Sequence, residues 1–256
     1  MCTEACGSGL THYRISGHGK PVVLIHGVGL DLNMWEAQVA ALADRFQVIR
    51  YDMLGHGSSA TPIPATELGD FVDQLAELLD ALGLDRVVLV GFSMGGLVAR
   101  RFACLYPGRL ERLVLMNTVF RRNPEQRRAV EERVQQVAAD GPVATADVAI
   151  RRWFSTEFRE RNVEDVETIR QRLITNDPQG YLAAYRIFGN AGDEAPEQLK
   201  AIRCPTLVLT GEYDVGSTPE MAEQLVACLP YAKVVVFPGL RHMAPIEGAQ
   251  QVNAEL

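Results

Sequence analysis

Short, mainly apolar runs separated by amphipathic stretches set the pattern of this chain. Such runs fall at Val22 to Gly27 (VVLIHG), Phe46 to Asp52 (FQVIRYD), Val87 to Val90, Arg112 to Thr118 (RLVLMNT), Pro205 to Gly211 (PTLVLTG) and Ala232 to Gly239 (AKVVVFPG). Runs of β-branched residues without polar alternation suit strands buried on both faces. Between them the apolar positions move to helical spacing. Leu68, Phe71, Val72, Leu75, Leu78, Leu79 and Leu82 mark one helix, read from about Thr66 to Leu82. Others are read over Met34 to Ala43, in LVARRFACLY after Gly96, near Pro219 to Leu229, and from Pro245 to the C-terminus. Leu10 to Ser16 alternates weakly and reads as an edge strand. Strand and helix in regular alternation predict an α/β fold, a mostly parallel twisted sheet with helices on both faces.

That rhythm stops after Thr118. From Val119 to Lys200 there are only helical patterns and polar turns, and strand rhythm returns at Pro205. Residues 119–200 are therefore expected to form a helical cap inserted into a core made of residues 1–118 and 201–256. The insertion carries 13 of the 25 Lys and Arg residues against 14 Asp and Glu, so it is less acidic than the core. It would tolerate an anionic substrate, although solvated helix faces account for most of such arginines.

Composition narrows the classes. A chain of 256 residues fits one large α/β domain or a domain with an insertion. A net charge of −7 argues against nucleic acid as a partner. The N-terminus MCTEACGSGL has no basic and apolar segments of a secretory signal, and no apolar run is long enough to span a bilayer. A soluble, cytoplasmic protein without a membrane partner is expected. Cys2, Cys6, Cys104, Cys204 and Cys228 are odd in number and lack metal-ligand spacing, so reduced thiols and no metal site are expected.

The run at Val87 leads directly into Gly91-Phe92-Ser93-Met94-Gly95 and then into a helix. A strand, a Gly-x-Ser-x-Gly turn and a helix form the setting of a nucleophile elbow, where a serine sits on a strained turn and small neighbours let strand and helix approach. Such a serine needs a base and an acid, which follow it in the order acid, histidine. Of His12, His18, His26, His56 and His242, only His242 lies after Ser93. The acid is sought after the run ending at Gly211; Asp214 is assigned, with Glu212 as the rival. The alternative acid position, after Arg112 to Thr118, holds the uncharged Asn117. Two backbone N–H groups must meet the developing oxyanion. Position assigns them to Met94, next to the nucleophile, and to Val28, in the loop after VVLIHG. His26 is read as bracing that loop, and Asp52 and His56 as structural turn residues.

HGVGLDLNMW, YDMLGHGSS, GFSMGG, GEYD and GLRHMAPIE, in that order, resemble the α/β-hydrolase superfamily over nearly the whole chain. Within it the chain looks most like the 3-oxoadipate enol-lactonase group and related small esterases. RRWFSTEFRE (Arg151 to Glu160) and NDPQGYLAAY (Asn176 to Tyr185) are similar to that group's cap motifs. The resemblance implies Ser93 as nucleophile, Asp214 as acid, His242 as base, and Val28 and Met94 as oxyanion donors. It also implies that Trp153 faces the substrate; packing within the cap is the other reading. Haloalkane dehalogenases and epoxide hydrolases carry Asp at the elbow, which Ser93 excludes. The expectation is a cofactor-free serine hydrolase of a small-molecule lactone or carboxylic ester, a carboxylate-bearing one being compatible with the charge of the insertion. The alternatives are a C–C bond hydrolase of aromatic meta-cleavage products and a non-catalytic ligand-binding protein on the same fold.

Overall fold

The computed structural model describes residues 2–6, 11–59, 67–192 and 194–256. Leu10, the TPIPAT loop and Thr66, where the first long helix was expected to begin, lie outside them. Among the described residues eight strands form one sheet: β1 (Cys2–Cys6), β2 (His12–Ser16), β3 (Lys20–Ile25), β4 (Phe46–Tyr51), β5 (Val87–Phe92), β6 (Leu110–Met116), β7 (Thr206–Gly211) and β8 (Ala232–Phe237). Their order is β1-β2-β4-β3-β5-β6-β7-β8. From β4 onward the pairing is parallel, whereas β2 runs antiparallel to both β1 and β4. The expected edge strand is thus an inner one. Residues 2–6, which carry no hydrophobic alternation, cover it by backbone pairing from Cys2–Ser16 to Cys6–His12.

Successive strand residues feed two cores, one on each face. Val23, Ile25, Leu89, Leu113 and Val208 pack on the face carrying α2 (Leu68–Ala81), α3 (Met94–Leu105) and α10 (Pro219–Ala227). Val22, Leu24, Val90, Val114 and Leu207 pack on the other, with Trp35, Leu42 and Val252 from around α1 (Glu36–Leu42) and α12 (Ala249–Glu255). Fully burying such side chains is worth about 1.5–3 kcal/mol each, which requires both layers of helices. The last helix is interrupted: α11 (Ala244–Glu247) and α12 meet at Gly248, where a Cβ would strike Leu240. Among the described residues no helix is long and apolar enough to cross a membrane.

Between the neighbouring strands β6 and β7 the chain makes α4 (Pro124–Asp140), α5 (Val143–Trp153), α6 (Thr156–Arg161), α7 (Val163–Ile174), α8 (Pro178–Asn190) and α9 (Pro196–Leu199). Local sequence starts several of them. Asn123 and Asp177 cap α4 and α8, each followed by a proline whose missing N–H is not needed there. Polar anchors then hold the insertion to the core. Buried Arg122 donates to the carbonyls of Phe188, Gly189 and Ala191 at the end of α8. Arg100, fully buried on α3, pairs with Glu194 at 2.6 Å.

Candidate active site

Ser93 stands between β5 and α3 with φ 54°, a left-handed conformation that costs a residue with a Cβ of order 1–3 kcal/mol. The surrounding glycines permit it. A Cβ on Gly91 would strike the Gly95 carbonyl, and one on Gly95 would strike the carbonyls of Ile25 and His26. At Gly96 a Cβ would lie 2.6 Å from that of Thr118. Gly91 and Gly95 therefore mark places where strand and helix backbones touch, and Gly96 one where the helix meets the Thr118 side chain.

The turn aims the Ser93 hydroxyl at His242, whose Nε2 lies 3.2 Å from Oγ. On the far side of the ring Nδ1 donates to Asp214 Oδ2 at 2.7 Å. Ser93, His242 and Asp214 are all buried. Asp214 uses its two oxygens differently. Oδ1 accepts from the N–H groups of Gly216 and Ser217, fixing the turn after β7. Oδ2 accepts from His242 and from Asn117 Nδ2 at 2.9 Å. Burial alone would raise the Asp214 pKa, but His242, the Asn117 amide and the Ser217 N–H together hold it below the ordinary carboxylate range. The rival Glu212 points elsewhere and accepts from the Gly239 N–H.

Asn117 was passed over as an acid because it carries no charge. It nevertheless follows β6 directly with φ 49° and places its amide on Asp214, in the turn after β7. Only its position after a strand, where an acid was sought, marks it in the sequence.

The loop after β3 is held peptide by peptide. The Gly27 carbonyl accepts from His26 Nδ1 at 2.8 Å and from the Leu30 N–H. In a trans peptide the N–H points opposite to the carbonyl, so this anchoring turns the Val28 N–H away from His26. Val28 itself lines the cavity beside Ser93. Met94 is the first residue of α3, and its N–H has no intrahelical acceptor. Gly29 donates to His56 Nε2 at 2.9 Å, and Leu32 donates to Asp52 Oδ1.

His26 and His56 stack edge to face beneath this loop, their ring centroids 5.1 Å apart. Burial pushes the His56 pKa down to about 3 and lowers that of His26 from its ordinary 6.5. Both are neutral when folded, so the Nε2 atoms accept the N–H groups of Gly29 and Met53. Unfolding exposes them, and below about pH 6.5 the unfolded chain binds the extra protons. Folding stability is therefore expected to fall with acidification, by about 1.4 kcal/mol per pH unit for each histidine that titrates only when unfolded. Urea denaturation between about pH 7 and about pH 4.5 reads this directly; stability that is flat across that window would contradict the assignment.

A cavity of about 220 Å³ opens over Ser93 and His242. Trp153, at the end of α5, lines it and packs against His242 with ring centroids 5.8 Å apart. Arg133 of α4 and Arg152 of α5, both half-buried, also line it. Arg133 Nε donates to the Tyr185 hydroxyl, while the Arg152 guanidinium meets no acceptor among the described residues. Sequence gave no means of choosing these two among the arginines of the insertion. Cys104 and Cys204 offer no competing nucleophile, since burial pushes both thiols up.

A family model described as alpha/beta hydrolase fold matches residues 20–249. The (E)-2-((N-methylformamido)methylene)succinate hydrolase of Acinetobacter baylyi is 32% identical, over 94% of this chain and 90% of that protein. 3-Oxoadipate enol-lactonase 2 of the same organism is 30% identical, again over 94% and 90%. Among solved structures, the enol-lactonase from Burkholderia xenovorans LB400 superimposes with a TM-score of 0.90 at 31% identity, covering 99% of this chain and 97% of the other.

Proposed function

The chain belongs to the alpha/beta hydrolase fold family, and from that premise we propose that it is a cofactor-free serine hydrolase of a carboxylate-bearing lactone or small ester. The observation that carries this reading is the hydrogen-bonded line from Ser93 through His242 to Asp214 at the floor of a cavity. Ser93 Oγ attacks the substrate carbonyl while His242 Nε2 takes its proton. Negative charge develops on the carbonyl oxygen, facing the N–H groups of Val28 and Met94. His242 then protonates the leaving oxygen, and an acyl-enzyme forms on Ser93. Water, deprotonated by His242, attacks the acyl carbon; the bond from that carbon to Ser93 Oγ breaks, His242 returns the proton to Oγ, and the acid leaves. Asp214 keeps the Nδ1 proton in place and stabilises the imidazolium. Every proton moves between these side chains and water, so the chemistry requires no added group.

Residues 119–200 act as the cap that selects the substrate. Arg152 supports the carboxylate. A guanidinium withdrawn partly from water without an acceptor is unfavourable, and a substrate carboxylate would supply one. The succinate in the name of the Acinetobacter relative points the same way. Arg152→Ala is expected to raise KM for a carboxylate-bearing lactone by about 10- to 100-fold, the worth of a charged hydrogen bond. A neutral ester of similar size should keep its KM. Equal effects on both substrates would remove Arg152 from this role.

The mechanism as a whole is tested with a fluorophosphonate probe, expected to label Ser93 stoichiometrically and abolish ester hydrolysis. An unlabelled, folded protein would instead favour ligand binding without catalysis. Turnover of a meta-cleavage product in preference to an enol-lactone would replace ester by C–C bond hydrolysis.

A further inference from the structure

The junction of α7 and α8 reaches down to the loop that carries Val28. Asn176, buried there, donates through Nδ2 to the Gly29 carbonyl at 2.8 Å. The same amide faces the Arg172 and Leu173 carbonyls at the end of α7. Its oxygen accepts from Arg172 Nη2 at 3.0 Å, and the Nε of that arginine lies 3.1 Å from Asp31 Oδ2, two residues beyond Gly29. Tyr181 and Leu173 close over Gly29 itself: a Cβ there would lie 2.7 and 2.8 Å from them. Gly29 has φ +79°, so the conformation and the lack of space both call for glycine.

The loop is thus gripped from two sides. From the core, His26 holds the Gly27 carbonyl and His56 the Gly29 N–H. From the insertion, Asn176 holds the Gly29 carbonyl. The Val28 N–H belongs to the Gly27–Val28 peptide, whose carbonyl accepts the Leu30 N–H at 3.2 Å. That Leu30 N–H is the other end of the Gly29–Leu30 peptide held by Asn176. Loss of the outer grip would let the Gly29–Leu30 peptide rotate and break the Leu30 N–H bond to the Gly27 carbonyl. That would leave the Gly27–Val28 peptide held by His26 alone and its Val28 N–H free to turn from the oxyanion. An oxyanion donor is useful only when preorganised.

We infer that Asn176 is a positioning residue, acting through Gly29 to set the Val28 N–H, so that the seating of the cap on the core is coupled to transition-state stabilisation. This rests on the serine-hydrolase reading above. Cap closure would then do more than exclude water: it would complete the oxyanion site.

The test uses the full-length protein, Asn176→Ala and the isosteric Asn176→Asp, which replaces the donor by an acceptor. Activated-ester kinetics are paired with the affinity of a trifluoromethyl ketone, whose adduct with Ser93 places an oxyanion where the transition state does. Both variants are expected to lose about 10- to 100-fold in kcat, part of the cost of deleting an oxyanion donor outright, with KM nearly unchanged. Trifluoromethyl ketone affinity should fall by the same factor. Should Asn176→Ala fail to fold, Asn176→Asp carries the measurement, because it keeps the shape of the side chain. A folded variant with wild-type kcat, or with its loss confined to KM, overturns the positioning role and leaves the hydrolase reading intact. A wild-type protein that neither hydrolyses esters nor binds the ketone overturns the hydrolase reading, and the role of Asn176 falls with it.

Discussion

Ser93→Ala is expected to lower kcat/KM toward an activated aryl ester by about 10⁴- to 10⁶-fold, the range found when a serine nucleophile is removed. The hydroxyl has one partner among the described residues, His242 Nε2. Its removal therefore deletes the attacking atom and the proton that the base must take, while little else changes. The Val28 and Met94 amides and the cavity persist, and residual catalysis over water should come from them. Fold stability is expected to hold. Alanine keeps the Cβ and so the same left-handed strain at φ 54°, and the polar atom that loses its partner, His242 Nε2, belongs to a residue lining the cavity, where water can replace the hydroxyl. Steady-state kinetics and a thermal melt of the purified variant provide the check. Retention of wild-type turnover would place the chemistry on another residue.

Asp214→Asn is expected to cost about 10⁴-fold in kcat, the effect of the equivalent change in a serine protease triad. The substitution preserves size, so its effect is one of donors and acceptors. If the new amide turns its oxygen toward Gly216 and Ser217, its NH₂ faces His242 Nδ1 and the Asn117 amide, where Asp214 Oδ2 had accepted from both. The imidazole can then recover a hydrogen bond only by moving its proton to Nε2, which leaves it unable to accept from Ser93. Turning the amide the other way breaks the loop after β7 instead. Glu212→Gln is the matched control: that side chain bonds Gly239 and no member of the line, so kcat should be unchanged. Comparable losses in both variants would mean that the acid has been misassigned.

Much of the scaffold was legible because its signals are local. Apolar runs of strand length mark the six strands from β3 to β8, since a strand covered on both faces must be apolar throughout. The Gly-x-Ser-x-Gly turn is visible because only glycine tolerates the backbone approaches around Ser93. Chain order picked out His242, the sole histidine after Ser93. Strand β1 was missed because it is made by backbone pairing to β2, which any side chains permit.

What only the tertiary structure decided concerns groups far apart in the chain. Asn117 meets Asp214 across 97 residues, and Asn176 meets Gly29 across 147. An asparagine has the same composition and local propensity whether it faces water or a buried carboxylate, so sequence carries no mark of either contact. Arg152 resembles the other arginines of the insertion until the fold places it on the cavity without an acceptor. The sequence by itself determined the strands β3 to β8, the Gly-x-Ser-x-Gly turn and the kinds of side chain available, because these depend on neighbours a few residues away. The third dimension decided the partners of Asp214, the grip on the loop that carries Val28 and the charge that lines the cavity. These depend on which distant polar groups are forced to satisfy one another when water is removed.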